Sequence, residues 1–290
     1  MHIKNHRLVD HWYEMSKDVG GEIADLRFIV MHYTAGGSGK ASRDYMLKSP
    51  TEKQKLHDAN EKVYASAHVI VDRDGTCWQI VPFNRMARHA GVSRWKGRTS
   101  LNRYSIGIEI ANYGWLDEQG DGSYKRPDTP RFKAKDVTLG AMRNGTQLKG
   151  WESYAAPQLA AVERVARALL SAYPSIVEIV GHEEISPGRK FDPGPAFPLQ
   201  RFKNLVDSRG AGAQPADSDP AERAPETFEV TTSLNIRGGP GIVFDPLTIS
   251  PLPIGTNVVK LDADGDWLFV ALAADAATQG WVHGRYLRLL

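Results

Sequence analysis

Short apolar runs bounded by turn-forming residues recur through the N-terminal part of the chain. LRFIVMHYT (26–34), HVIV (68–71), CWQIV (77–81), SIGIEIAN (105–112) and IVEIV (176–180) are short and rich in β-branched residues, which predicts strands. PQLAAVERVARALLSAY (157–173) has another period: Leu159, Val162, Ala166, Leu169, Leu170 and Tyr173 fall on one helical face, with Pro157 suited to the first turn. Strand and helix signals that alternate predict an α/β domain with this helix covering the sheet. DRDG (72–75) reads as a hairpin turn in which Gly75 takes positive φ. The stretch Gly114–Gly150, rich in charge, Gly and Pro, reads as a long loop or lid over one edge.

The pattern changes after residue 207. SRGAGAQPADSDPAERAPE (208–226) has almost no large apolar side chain, cannot offset its own ordering entropy, and reads as a linker. It divides the chain into a domain at 1–207 and a smaller one at 227–290. In the latter, TSLNIRGGPG (232–241), PLPIGTNVVKLD (251–262), DWLFVALA (266–273) and GWVHGRYLRLL (280–290) predict short strands, a small barrel and no helix.

Composition narrows the chemistry. Lys+Arg number 36 against 34 Asp+Glu, a net charge of +2, so the chain lacks the basic footprint of a nucleic-acid binder. Cys77 is the single cysteine, which rules out an internal disulfide and a cysteine zinc knuckle and leaves metal binding to histidines and carboxylates. MHIKNHRLVDHWYEM has no apolar leader core, and no apolar run approaches the ~18 residues of a membrane span. The expectation is a chain made in the cytoplasm, without signal peptide or transmembrane segment.

His182 and Asp192 bracket GHEEISPGRKFDPG (181–194), a Pro/Gly loop with Lys190 inside it. His32 ends the strand-like IVMHYT, and His182 follows IVEIV and Gly181, so two strands deliver imidazoles to one sheet edge, where open sheets place ligands. A lone histidine of this kind is more often a partly buried polar side chain; the pair, with Asp192 as third ligand, fits a catalytic zinc site with an open fourth position. Glu109, set among Ile106, Ile108 and Ile110, is either a solvent-facing or salt-bridged strand residue or a carboxylate placed to take a proton. Lys190 is either a solvated loop cation or a group that reaches an oxyanion. His68 and His89 either line a polar cleft or serve local hydrogen bonds.

MHYTAG (31–36), SAHVIVDRDG (66–75), RHAG (88–91), N-x-x-SIGIE ending at Glu109, and GHEEISPGRKFDPG (181–194) together resemble the type-2 N-acetylmuramoyl-L-alanine amidases, the zinc family that includes the peptidoglycan recognition proteins. The resemblance implies a mixed central β-sheet flanked by helices, Zn2+ on His32, His182 and Asp192, and catalytic Glu109 and Lys190. His68, His89 and Asn102 are the candidate substrate contacts. LNIRGGPG, PIGT, DWLFV and GWVHGRYL resemble a bacterial SH3 domain, which commonly holds a hydrolase on the cell wall. The expected substrate is the amide joining N-acetylmuramic acid to L-alanine in peptidoglycan or muropeptides. The expected role is cell-wall lysis, as an endolysin or antibacterial effector acting after release or specialised export. The alternatives are cytosolic muropeptide recycling and non-catalytic peptidoglycan recognition.

Overall fold

The computed structural model describes the chain apart from residues 10, 58–62, 143–146, 209–225, 239–240, 243–244 and 265. The linker expected at 208–226 therefore lies, except for its ends, outside the described residues. The chain packs as two units: residues 1–114, 154–193 and 201–209, and residues 115–153, 194–200 and 210–290. No helix among the described residues is long and apolar enough to cross a membrane.

The first unit is built on a six-stranded sheet in the order Glu178–Gly181, Phe28–Tyr33, Ser105–Ile110, Val69–Val71, Cys77–Gln79, Trp12–Tyr13. Its first four strands are mutually parallel, Cys77–Gln79 returns antiparallel, and Trp12–Tyr13 runs parallel to it. The sheet is thus mixed, as expected. Its central strands are buried on both faces, which is why they read as nearly continuous apolar runs rather than as alternation. Phe28 and Val30 pack with Ala90, Leu101, Val180 and Ile185 on one side. Ile29, Met31, Ile106, Ile108 and Ile110 alternate with them and are fully buried on the other. Each such side chain contributes about 1.5–3 kcal/mol by leaving water.

The Ala156–Ala172 helix forms where the apolar period predicts it and buries Val162, Val165, Ala166, Leu169 and Leu170. At the DRDG turn Gly75 has φ 87°, and a Cβ there would meet the Pro157 carbonyl oxygen at 2.8 Å. Both the backbone conformation and the approach of the helix require glycine. The Gly39–Met46, Pro50–Leu56 and Leu199–Asp207 helices are short and largely polar and escaped the sequence reading. One left a local mark: Ser49 and Glu52 form a capping box around Pro50.

The stretch Gly114–Gly150, expected as a loop or lid, is instead most of a five-stranded antiparallel sheet. Its order is Phe132–Lys133, Ser123–Lys125, Trp115–Glu118, Leu148–Glu152, Val137–Ala141. The strands are two to five residues long and carry charge on their open face, which hides the alternation. Trp115 pairs with Trp151, and Trp151 is buried, its Nε1 donating to the Gly140 carbonyl at 2.9 Å.

The C-terminal strands form an all-antiparallel sheet in the order Asp275–His283, Trp267–Leu272, Asn257–Asp264, Thr227–Val230, Leu287–Leu289. TSLNIRGGPG is not a continuous strand. Among its described residues it pairs through isolated bridges at Leu234 and Arg237. Where no helix was expected, Gly284–Tyr286 makes one 3-10 turn, capped by His283 Nδ1 accepting from the Arg285 N–H at 3.2 Å. The core of this part is Val230, Leu234, Ile236, Leu247, Leu252, Val258, Val270 and Val282. Ala141 and Leu148 of the preceding sheet pack into the same cluster.

Candidate metal centre

Strand register assembles the site. Parallel pairing sets Met31 opposite Gly181 and His32 opposite Glu109. The chain passes from Gly181 straight into a helical turn, His182–Ile185, so His182 emerges level with His32. Glu184 holds that turn: its carboxylate accepts from the Gly181 N–H at 2.8 Å and from Lys203 Nζ at 2.8 Å. The Glu183 N–H donates to the Asp192 carbonyl at 2.8 Å and brings the far arm of the loop back. His182, His32 and Glu109 thus meet at the carboxyl ends of three adjacent parallel strands.

His32 Nδ1 and His182 Nδ1 lie 2.9 Å apart, and each lies 2.9 Å from Asp192 Oδ2. All three residues are buried. The outer nitrogen of His182, Nε2, faces the Ala90 carbonyl at 3.1 Å. A carbonyl only accepts, so Nε2 donates to it, and Nδ1 is the atom left to offer a lone pair. A carboxylate oxygen and imidazole lone pairs packed this closely repel one another unless a cation lies between them. Ligands around a tetrahedral zinc at ~2.0–2.1 Å stand about 3.3 Å apart, so the triangle is slightly tighter than a filled site and of the right donor types. The residues fit the metal.

Charge agrees with that reading. Burial pushes the His32 pKa down to about 4, with the His182 charge acting in the same direction, so the ring is neutral at pH 7.

Glu109 is buried beside this triangle, and its Oε2 has no hydrogen-bond partner among the described residues. Burial raises its pKa well above the ordinary carboxylate value; Asp192 adds to the rise and Lys190 opposes it. A carboxyl so placed keeps its proton to higher pH than a free one, the kind of perturbation that marks a candidate proton-transfer group. Lys190 is partly buried, and its charge is felt by both Glu109 and His32.

The other sequence candidates lie around this centre. His68 is fully buried; its Nε2 donates to the Arg85 carbonyl at 2.9 Å and its Nδ1 accepts from the Gly107 N–H at 3.0 Å. Burial pushes its pKa down to about 4. His89 is buried with Nδ1 3.0 Å from His32 Nε2. The Asn102 side-chain oxygen accepts from the N–H groups of His89 and Ala90, at 3.1 and 2.8 Å. His283 belongs to the second unit, between Trp267 and Tyr286.

One supporting group was missed from sequence. Lys53 and Asp18 form a fully buried ion pair at 2.9 Å. Asp18 also accepts from the Ala65 N–H at 2.9 Å and Arg88 Nε at 3.1 Å, and so fixes the segments that lead into His68 and His89.

Two imidazoles and a carboxylate that could hold a metal ion, beside a buried carboxyl with one unpartnered oxygen, lie at the carboxyl ends of parallel strands of an α/β fold. Residues 22–195 match the model of the N-acetylmuramoyl-L-alanine amidase family, and the chain belongs to that family. It is 37% identical over 142 residues to the 1,6-anhydro-N-acetylmuramyl-L-alanine amidase AmpD of Escherichia coli K12, covering 49% of this chain and 58% of that protein. To the N-acetylmuramoyl-L-alanine amidase AmiD of the same organism it is 30% identical over 217 residues, covering 72% and 63%. A solved structure of a selenomethionine derivative of AmpD aligns over 71% of this chain and 99% of its own, at 27% identity and a TM-score of 0.49. The chain thus spans roughly three fifths of the length of these two curated relatives.

Proposed function

We propose that this chain is a zinc-dependent hydrolase of the amide bond between N-acetylmuramic acid and L-alanine, acting on soluble muropeptides. The observation that carries the reading is the triangle of His32, His182 and Asp192 beside the unpaired Glu109 carboxyl. His32 Nδ1, His182 Nδ1 and Asp192 Oδ2 would hold the ion. When bound, zinc supplies a Lewis acid for the amide carbonyl and lowers the pKa of a coordinated water to about 7. Glu109 takes a proton from the attacking water and passes it to the leaving amine, and its raised pKa suits both steps. Lys190 holds positive charge where the tetrahedral oxyanion develops.

Within that chemistry we favour muropeptide recycling over the wall lysis expected from the tail. The AmpD relative is named for a 1,6-anhydro-N-acetylmuramyl-L-alanine substrate, which is a soluble fragment rather than intact wall. A purely binding role is disfavoured because both catalytic positions are filled beside a complete ligand set. The SH3-like reading of 227–290 as a wall-binding module favours the lytic reading instead, so the test compares both substrates. The test is incubation of zinc-loaded protein with 1,6-anhydro-N-acetylmuramyl-L-alanyl peptide and, separately, with murein sacculi, followed by mass spectrometry. Free peptide with an N-terminal alanine, released faster from the soluble substrate, is expected. An intact soluble substrate contradicts the activity, and faster release from sacculi contradicts the recycling role.

A further inference from the structure

The buried imidazole of His89 stands behind the proposed metal ligand His32, and its hydrogen bonds have a direction that can be read from the far end. Ser105 Oγ lies 2.6 Å from the Leu101 carbonyl, which only accepts, so the hydroxyl proton points there. Toward His89 Nε2, Ser105 presents that hydroxyl's lone pair at 3.4 Å and its main-chain carbonyl at 3.5 Å. Both accept, so Nε2 of His89 carries the ring proton. A ring with its one proton on Nε2 leaves Nδ1 as an acceptor. The atom it faces, His32 Nε2 at 3.0 Å, must then donate, and the lone pair of His32 is driven onto Nδ1, the atom that faces His182 and Asp192.

The geometry points to His89 as a positioning residue that fixes the tautomer and plane of His32 and thereby sets the zinc affinity of the site, with Ser105 fixing His89 in turn. The inference rests on the metal reading above. The strand is shaped for it. Ser105, Gly107 and Glu109 alternate onto one face, and a Cβ on Gly107 would meet His89 Cγ at 2.4 Å. Glycine there opens the slot in which the ring lies between His32 and Ser105. The Asn102 oxygen, accepting from the His89 N–H, holds the backbone that delivers the ring.

The experiment compares zinc affinity, by competition with a chromophoric chelator, for the full chain and for His89→Leu and His89→Asn. Loss of a hydrogen-bond partner behind a ligand typically costs about 10–100-fold in metal affinity. His89→Leu should show a weakening of that size; His89→Asn, whose Oδ1 can stand where Nδ1 stood, should recover most of it. Thermal midpoints of the metal-free forms report damage to the fold separately. Nitrogen-15 NMR of the ring nitrogens in unaltered protein should show His89 with its proton on Nε2, which keeps the test decisive if a variant does not fold. A proton on Nδ1, or unchanged zinc affinity in folded His89→Leu, overturns the proposal and leaves the metal reading intact. Absence of zinc binding in the unaltered chain overturns the metal reading, while the NMR result still decides the direction of the chain of hydrogen bonds.

Discussion

Among the described residues, the first unit buries far more polar and charged side chains than the second. The first encloses His32, His68, His89, Ser105, Glu109, His182 and Asp192, together with the Lys53–Asp18 ion pair. The second closes on Val230, Leu234, Ile236, Leu247, Leu252, Val258, Val270 and Val282. Among the described residues, the His32–His182–Asp192 group is where three metal-binding side chains converge. A buried polar group costs about 1–3 kcal/mol unless it is hydrogen-bonded, so a unit that buries many holds them in a defined network, while an aliphatic core asks mainly for volume. Substitutions in the first unit should therefore change chemistry or break pairs; those in the second should change packing.

The largest effect is expected where the network is left open on purpose. Glu109→Gln removes the proposed proton acceptor and keeps the shape, so turnover on the soluble muropeptide should fall by roughly 10²–10⁴-fold. Zinc content by elemental analysis should be unchanged. Retained turnover would move the proton transfer to another group, and loss of zinc would make Glu109 structural.

Next comes the buried ion pair. Lys53→Met strands the Asp18 carboxylate with Arg88 and the Ala65 N–H alone, and unfolding in urea should show a loss of about 3–5 kcal/mol. Val258→Ala in the second unit should cost about 2–3 kcal/mol through its cavity, with zinc affinity unaltered. A Val258→Ala variant that lost zinc would erase the distinction between the units.

A smaller and graded effect is expected with pH. His68 has its folded pKa pushed down to about 4, against ~6.5 in an unfolded chain. Between those values the unfolded state binds more protons, so the stability His68 contributes is fully present above about 6.5 and is lost as pH falls toward about 4. The total for this group is about 3 kcal/mol. Urea unfolding of metal-free protein across that window should show the slope, and His68→Gln should flatten it. A slope unchanged by the substitution assigns it to other groups. Deletion of 227–290 should have the smallest effect on the site: Ala141 and Leu148 lose their packing partners, but zinc affinity should stay as in the full chain.

Five of the six strands of the first unit's sheet were legible because they are largely buried and therefore apolar, whereas Trp12–Tyr13, with Trp12 exposed, was not. The Phe28–Tyr33 and Ser105–Ile110 strands lie within the runs read as strands, as does the body of the Ala156–Ala172 helix. The ligand set was legible because His32 and His182 each follow such a run, and the register then sets them level. The strands between Trp115 and Glu152 escaped because they are short and open to water, so their charge reads as loop. Lys53 and Asp18 are 35 residues apart in chain order, and nothing local marks either as buried. The capping box at Ser49 and Glu52 was a readable sign of the helix that carries Lys53. The direction of the His32–His89–Ser105 hydrogen bonds depends on distances that no spacing encodes.

The central claim, that His32, His182 and Asp192 form a metal site, is tested most directly by the zinc content of reconstituted protein after exhaustive dialysis. One zinc per chain is expected in the unaltered protein and in His283→Ala, and none in His182→Ala. Retention of zinc by His182→Ala, or equal loss from both variants, would contradict it.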